Sequence, residues 1–232
     1  MYLIRHADPD YENNTITPAG HLEARALAER LAREGITRIY CSPLQRAIET
    51  AGYTARATGI EPVSEEWTCE VSDCYFEAAP EGRVAIWDTP GELIRAQRPW
   101  PTHAEWDRIE PAYTEIVGKK FDEMQRCSDA FVARHGYERD DGRYRIRESN
   151  RERIAIFCHN GTALWWLSHL LEIPLPLVWA GFWHAPAAVT TVLFEERSTD
   201  WAVPRALSVA DTSHLYAEGL PIRPRGIMAN YD

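Results

Sequence analysis

Two histidines lie at the ends of short apolar segments that are far apart in the chain. Residues 1–4 precede Arg5 and His6, and residues 154–158 precede His159. Apolar runs of this length are typical of buried strands, and open α/β folds build their sites at the carboxyl ends of such strands. An imidazole can act as a nucleophile or base near neutral pH, and a neighbouring guanidinium can hold an anion. The two segments therefore predict one anion-binding site between two histidines.

A third segment adds a positive charge at a junction of the same kind. Residues 42–51 read Ser-Pro-Leu-Gln-Arg-Ala-Ile-Glu-Thr-Ala and follow a short predicted strand at residues 36–41. A Ser-Pro pair is typical of a helix start, and the free N–H groups of a first helical turn attract a phosphate. Arg46 lies in that turn, and Gly161 after the second histidine lets the backbone approach a ligand. Each feature alone fits an ordinary structural role, but together they favour a phosphoryl group.

The elements that must position these residues alternate between strand and helix. Thr17 and Pro18 predict a helix start, and Gly35 predicts the end of that helix. Strand, helix, strand and helix at these lengths are typical of an α/β fold. We expect a three-layer sandwich with a mostly parallel central sheet flanked by helices, in a single domain over residues 1–232.

The alternation breaks between residues 64 and 150. This part of the chain is rich in tryptophan, proline and acidic residues, and it contains a predicted helix from Pro111 to about His135 and an exposed strand at residues 143–147. We predict that residues 64–150 form an insertion, or cap, over the site. Its side chains are candidates for substrate contacts, although most of its tryptophans are expected to form its own core.

The strand and helix pattern resumes at residue 153. Pro174 and Pro176 predict a loop, and the last dozen residues predict a loose tail. The expected elements are a strand at 153–158, a helix at 161–172, and strands at 188–195 and 202–210 that could pair antiparallel.

Composition narrows the class of protein. The chain has 232 residues, of which 45% are apolar, so it can bury a full core. A net charge of −10 argues against a nucleic-acid partner, and no apolar run is long enough for a membrane span. Five cysteines without a CxxC pair predict reduced thiols. No secretory signal is visible, so a cytoplasmic location is expected.

Taken together, the motifs resemble those of the histidine phosphatase superfamily, the phosphoglycerate-mutase-like proteins. The resemblance covers roughly residues 1–70 and 150–216. Five segments carry it: residues 5–7 (Arg-His-Gly in the family), 17–20 (Thr-x-x-Gly), 42–51 (Ser-Pro-Leu-x-Arg-Ala-x-x-Thr-Ala), 159–162 (a histidine before a glycine-rich bend) and 211–215 (a closing His-Leu).

The resemblance implies a phosphomonoester hydrolase that acts through a covalent intermediate. His6 would attack phosphorus and become phosphohistidine, with His159 as its catalytic partner. An acid after the second helix would protonate the leaving oxygen and then deprotonate water. Glu65, Glu66 and Glu70 are the candidates, and we favour Glu70, with Glu66 second. No metal or cofactor is implied, because arginines and the second histidine would offset the charge.

The resemblance also assigns binding roles. The expected partner is a small phosphorylated substrate, with neither nucleic acid nor membrane, and a homodimer is one candidate oligomeric state. The implied phosphate ligands are Arg5, Arg46, His159 and Asn160, and the candidates for substrate binding are Thr17, Glu66 and His184.

Departures from the family pattern keep alternatives open. Ala7 replaces the usual glycine and adds a methyl group near the expected phosphate. The loop at residues 8–14 lacks the Trp-Asn pair of the mutase branch, which favours hydrolysis over mutase-type phosphotransfer. A non-catalytic module that binds phosphate or a phosphoprotein, and a metal hydrolase, are further alternatives. The metal site is disfavoured because no HExxH or His-x-His spacing occurs.

Overall fold

In a computed structural model of the chain, the described residues are 1–78, 82–102, 105–106 and 115–227. The strands are β1 (Tyr2–Arg5), β2 (Pro9–Asp10), β3 (Thr15–Ile16), β4 (Arg38–Cys41), β5 (Val63–Ser64), β6 (Tyr75–Ala78), β7 (Gly82–Ala85), β8 (Tyr137–Asp140), β9 (Arg143–Ile146), β10 (Ile154–Cys158), β11 (Val189–Glu196) and β12 (Trp201–Asp211). The helices are α1 (Pro18–Glu34), α2 (Gln45–Thr58), α3 (Gly91–Arg95), α4 (Glu115–Arg134), α5 (Asn160–Leu171), α6 (Leu175–Gly181) and α7 (Ser213–Ala217), and two 3₁₀ turns cover Glu66–Thr68 and Ile86–Asp88.

Eight of the described strands form one central sheet in the order β5-β4-β10-β1-β11-β12-β9-β8. The first four strands pair in parallel, and each later neighbour pairs antiparallel. Among these eight strands, only β11 and β9 therefore run against the direction of β1. The antiparallel pairing of β11 with β12 confirms the sequence prediction for that pair.

The sheet has a hydrophobic core on each face. Successive residues of a strand point to opposite faces, so Leu3 belongs to one core cluster and Ile4 to the other. The Leu3 cluster includes residues of α4, α5 and α6, whereas the Ile4 cluster includes residues of α1 and α2. The three-layer α/β fold expected from the sequence is thereby confirmed.

The parallel register aligns the carboxyl ends of three strands. Arg5 lies beside Cys158, and Phe157 lies beside Cys41. Beyond the paired residues, the His6 N–H donates to the Cys158 carbonyl at 3.0 Å, and the Ser42 N–H donates to the Phe157 carbonyl at 2.8 Å. The segments after β1, β4 and β10 therefore leave the sheet at the same edge.

The first two helices begin with different local structures. Thr17 caps α1 by accepting a hydrogen bond from the Gly20 N–H, with Pro18 in the first turn, and Gly35 ends the helix with a φ of 71°. The second helix begins at Gln45, later than the predicted start at Ser42. The delay arises because the Ser42 hydroxyl accepts from the Leu44 N–H and holds a turn before the helix.

The predicted insertion at residues 64–150 contains parts of different kinds. β6 and β7 form a separate two-stranded sheet, as an insertion would. In contrast, β8 and β9 extend the central sheet, because Trp201 pairs with Arg145 at its edge. The hairpin formed by β8 and β9 therefore belongs to the central sheet rather than to a cap. The start of the predicted helix at Pro111 lies outside the described residues.

Two further sequence predictions are corrected. Residues 175–181 form α6 where a loop was expected, because prolines are tolerated at the start of a helix. The C-terminal segment is not loose up to residue 227, since Arg225 forms an ion pair with Asp8 at 2.7 Å. None of the helices in the described parts of the chain is both long and apolar enough to span a membrane.

Candidate active site

The two histidines that follow β1 and β10 meet at the edge of the sheet. Their ring centroids are 5.1 Å apart, and both side chains are buried. Nδ1 of His6 lies 2.8 Å from the Ala7 carbonyl oxygen, which can only accept, so Nδ1 carries the proton and donates. Nε2 of His6 accepts a hydrogen bond from Nε of Arg46 at 3.1 Å. The geometry thus leaves His6 with an unprotonated Nε2 that points at a cation.

The second histidine is held from the loop after β4. Nε2 of His159 lies 2.8 Å from the Ser42 hydroxyl. Its Nδ1 is buried and has no hydrogen-bond partner among the described residues. A buried polar atom without a partner is costly, so Nδ1 is available for a ligand.

Two arginines complete the positive surroundings. Arg5 is only 4% exposed, and its Nη1 donates to the carbonyls of His184 at 2.6 Å and Arg225 at 3.3 Å. Its Nε has no hydrogen-bond partner within the described chain. The guanidinium of Arg46 lies 5.5 Å from the ring centroid of Tyr11, an exposed residue that also interacts with Arg5. A guanidinium fork held by carbonyls keeps its charge available for an anion.

These surroundings determine the protonation of both imidazoles. Burial and the neighbouring Arg5 and Arg46 lower the pKa of His6 well below its usual value. Burial, then His6 and the same two arginines, lower the pKa of His159 in the same way. Both rings are therefore neutral near pH 7, as a nucleophile and a hydrogen-bonding partner require.

Glu70 is the acid that the fold brings to this site. Its carboxylate accepts hydrogen bonds from the N–H groups of Thr162 at 3.1 Å and Gly161 at 3.3 Å, in the first turn of α5. Burial raises the pKa of Glu70 and outweighs the backbone donors and the two arginines, which lower it. The carboxyl group can therefore hold a proton at a higher pH than an exposed glutamate.

The other two candidate acids lie elsewhere. Glu65 is buried and accepts hydrogen bonds from the Trp67 indole at 2.9 Å and from Arg134 at 2.5 Å. Glu66 starts the 3₁₀ turn and is exposed. Of the three glutamates, only Glu70 contacts the helix that follows His159.

A profile of the histidine phosphatase superfamily (branch 1) matches residues 1–205 of the chain. The chain belongs to this superfamily. Curated relatives match shorter stretches: "Putative phosphoserine phosphatase 2" of Hydrogenobacter thermophilus is 32% identical over 86 residues, which are 33% of this chain and 42% of that protein. "Probable phosphoglycerate mutase GpmB" of Serratia proteamaculans is 30% identical over 74 residues, which are 28% of this chain and 34% of that protein. The matches thus span less than half the length of these relatives.

Solved structures of histidine phosphatases share the fold over nearly the whole chain. An Entamoeba histolytica phosphoserine phosphatase mutant in complex with phosphoserine superposes with a TM-score of 0.60 at 17% identity, covering 92% of this chain and 98% of that one. A mycobacterial glucosyl-3-phosphoglycerate phosphatase in complex with VO3 has a TM-score of 0.55 at 18% identity, covering 90% and 97%. At this identity the likeness concerns the fold alone.

The departure from the superfamily pattern at Ala7 is accommodated by the core. Ala7 is fully buried and belongs to the cluster that contains Ile4. Its N–H donates to the Thr50 hydroxyl at 3.0 Å, and that hydroxyl donates to the Arg46 carbonyl at 2.7 Å. Thr50 thereby ties the His6 loop to the helix that carries Arg46.

Two of the predicted phosphate and substrate ligands lie together behind Arg5. The Asn160 side-chain oxygen accepts from the His184 N–H at 3.1 Å, which leaves the amide NH₂ group as its donor. The ring of His184 is fully buried and bonds the Thr190 hydroxyl at 2.8 Å. His184 therefore reaches the site residues through its main chain, which holds both Arg5 and Asn160. Burial lowers the pKa of its ring to about 3.

Thr17 belongs to a polar cluster around Asp8, in the loop that follows His6. Its hydroxyl donates to the Asp8 carboxylate at 2.7 Å, and the second Asp8 oxygen pairs with Arg225. Glu23 is buried beside them and accepts from the Asp8 N–H at 2.8 Å. The cluster anchors the loop that follows His6, and sequence spacing could not reveal it because Arg225 is 217 residues away from Asp8.

Two residues of the insertion reach the site without having been predicted there. Asp88 interacts electrostatically with both Glu70 and Arg5. Trp87 packs against the first turn of α5, because a Cβ placed on Gly161 would lie 2.8 Å from its ring and 2.6 Å from the Glu70 carboxylate. Their sequence lies in an irregular region without periodicity, where only the tryptophan-rich composition drew attention.

The contact at Gly161 gives a direct test of the site. Gly161→Ala should displace Glu70 and Trp87, since real Cβ atoms do not approach other atoms below 3.0 Å. We expect any hydrolysis of phosphate esters at this site to fall by about 10²-fold or more, the size of effect that a misplacement of about 1 Å produces. Steady-state hydrolysis of an alkyl phosphate measures it.

A matched control is Gly52→Ala, whose Cβ would meet only the end of the flexible Arg56 side chain. This variant should keep wild-type activity. Wild-type activity in Gly161→Ala would show that Glu70 does not act from this position.

The buried cluster predicts a pH-dependent change in stability. Burial raises the pKa of Glu23 to about 7, above the usual 4.5. The folded state therefore binds a proton that the unfolded state releases, and stability is lost as the pH rises from about 4.5 through 7. Glu23→Gln removes this pH-dependent loss of stability and keeps a side-chain oxygen that can accept the hydrogen bond from the Asp8 N–H. Its free energy of unfolding, relative to the wild type, should rise between pH 5 and pH 8.

Urea unfolding at the two pH values measures the difference. The exposed substitution Glu66→Gln serves as the control, and its relative stability should stay level. A Glu23→Gln difference that is flat or falls with pH would contradict the raised pKa.

Proposed function

We propose that this chain is a phosphomonoester hydrolase that works through a phosphohistidine on His6. The observation that carries the proposal is the hydrogen bond from Arg46 Nε to His6 Nε2, 3.1 Å long, beside a neutral second histidine. It directs a nucleophilic nitrogen towards the place where Arg5 and Arg46 can bind a phosphoryl group. Membership of the histidine phosphatase superfamily supports the same activity.

The proposed reaction has two steps. Nε2 of His6 attacks phosphorus, the bond from phosphorus to the ester oxygen breaks, and the proton on Glu70 passes to the leaving alcohol. Water then attacks the phosphohistidine, Glu70 takes its proton, and the P–N bond breaks to release inorganic phosphate. Arg5, Arg46 and His159 offset the charge that develops on the phosphoryl oxygens.

The substrate is proposed as a small phosphorylated molecule. Relatives are named for phosphoserine, phosphoglycerate and glucosyl-3-phosphoglycerate, which share a phosphate ester on a small polar alcohol or acid. Metal-independent hydrolysis is part of the proposal because two guanidinium groups and an imidazole surround the nucleophile. Full activity in excess chelator is the expected result.

The nucleophile can be tested by trapping the intermediate. His6→Ala should lower hydrolysis of p-nitrophenyl phosphate by roughly 10⁴-fold or more, because no other group replaces the nucleophile. Quenching the wild type during turnover in alkaline denaturant should leave a phosphoryl group on residue 6 that is stable in base and lost in acid, detected by mass spectrometry. His21→Ala, a histidine that bonds Tyr53 on the helix surface, is the control and should retain activity.

Phosphate release by His6→Ala at the wild-type rate would refute the proposed nucleophile. Phosphoryl transfer from the trapped enzyme to a second hydroxyl in preference to water would instead identify a mutase-type phosphotransferase.

The proton donor can be tested with leaving groups of different basicity. Glu70→Gln should slow the hydrolysis of an alkyl phosphate by roughly 10²- to 10⁴-fold, which is the usual contribution of a general acid. Hydrolysis of p-nitrophenyl phosphate should be slowed much less, because its leaving group needs little protonation. Because the protonated carboxyl is required, wild-type activity on the alkyl ester should fall as the pH rises through the elevated pKa of Glu70.

Glu66→Gln is the matched control for Glu70. Both are glutamates of the same segment, but Glu66 is exposed. If Glu66→Gln shows the dependence on the leaving group and Glu70→Gln does not, the assignment of the acid is wrong.

A further inference from the structure

A cleft of about 670 Å³ lies next to the site, between the insertion, the end of α6 and the C-terminal segment. Its described lining includes four aromatic residues, one carboxylate and the guanidinium group of Arg83. The aromatic lining residues are Trp87, Trp179, Phe182 and Trp183, and the carboxylate is Asp88.

The cleft adjoins the acid that would protonate the leaving group. Asn160, the residue after His159, lines it, and so does Trp87. Trp87 and the Glu70 carboxylate lie against the same side of Gly161. A phosphate ester bound at His6 can therefore extend its alcohol past Glu70 into this cleft.

Asp88 is a carboxylate without a cation of its own. Within the described chain, it has no ion pair and no side-chain hydrogen bond, although Arg5 and Glu70 are close enough to affect it electrostatically. Its side chain is accessible through the open cleft, while the surrounding protein atoms and Glu70 raise its pKa to about 6. At neutral pH it is therefore mainly an anion, and it lines the same cleft as the four aromatic residues.

This combination matches one class of ligand. Aromatic faces attract a cation through their negative quadrupole, and a quaternary or primary ammonium group is the usual partner of such faces. A carboxylate within the same cleft supplies the counter-charge. Arg83 is the cationic side chain in the lining of the cleft. Its guanidinium stacks on the Tyr75 ring, 4.3 Å from the ring centroid, and the residue is exposed to solvent.

We infer that the cleft selects phosphate esters whose alcohol carries an ammonium group, with Asp88 as the counter-ion and the four aromatic residues as the cation's contact surface. This inference rests on the proposed phosphatase function and names the substrate class for the same site. It makes Asp88 a specificity-determining residue.

The test compares substrates that differ only in charge. Phosphocholine and 3,3-dimethylbutyl phosphate have the same shape, with nitrogen replaced by carbon, and phosphoethanolamine carries a primary ammonium. We expect kcat/KM for phosphocholine to exceed that for the neutral ester by about ten- to a hundredfold, the range for one charged contact. Phosphoethanolamine should also exceed the neutral ester.

Variants identify the group responsible. Asp88→Asn should reduce the preference for phosphocholine to a few-fold, mainly through KM. Glu92→Gln removes the same charge from an exposed position of the insertion that does not line the cleft, and the preference should be unchanged. Phe182→Leu keeps the apolar volume but removes one aromatic face, and should lower the preference by a smaller factor.

Binding provides a readout that does not need turnover. Choline chloride should quench tryptophan fluorescence of the wild type saturably, and tetramethylammonium should compete, with weaker binding to Asp88→Asn. Equal kcat/KM for the charged and neutral esters would overturn the inference, while hydrolysis of p-nitrophenyl phosphate would still support the proposed function. If the wild type hydrolyses none of these esters but still binds choline, the proposed function is overturned, whereas the cation site is supported.

Discussion

The site depends on the parallel register of β4, β10 and β1. A single main-chain hydrogen bond, from the His6 N–H to the Cys158 carbonyl, fixes how far the first histidine extends beyond the strand that carries the second. A shift of one residue would turn the side chains of a strand to the opposite face of the sheet and disrupt the packing of both hydrophobic cores. The buried apolar residues of these strands therefore determine the distance between the two imidazoles.

A concentration of positive charge at this edge follows from how Arg5 is held. Its guanidinium is buried, yet the hydrogen bonds that it donates go to the carbonyls of His184 and Arg225. Carbonyls orient a guanidinium without neutralising it, so its positive charge remains available to an anionic ligand. Burial, and then the same charge, lower the pKa of His6, which keeps its imidazole unprotonated. The buried Arg5 thus contributes both to the positive surroundings of the site and to the neutral state of His6.

The features that the sequence predicts best are those that depend on the local pattern of residues. Apolar runs followed by polar residues locate Arg5, His6 and His159, because the ends of buried strands are visible in one dimension. The sequence predicts poorly the positions of residues that are set by packing between distant parts of the chain. Asp88 sits on a 3₁₀ turn with no periodicity, and the contact of Arg225 with Asp8 joins opposite ends of the chain. The helix α6 was missed because proline is read as a breaker, although its ring suits a first turn.

The packing around Gly161 links chemistry to selectivity. Glu70 and Trp87 occupy the space that any larger residue would need, so the Glu70 carboxylate and the start of the cleft lined by Trp87 share one surface. Glu70 is bound by the N–H groups of α5, whose position is set by β10, whereas Trp87 comes from the insertion. A change in the insertion can therefore alter the cleft that receives the alcohol while the strands keep the histidines and arginines in place. Under the proposed function, the core determines the reaction at phosphorus, and the insertion determines which alcohol can lie beside Glu70.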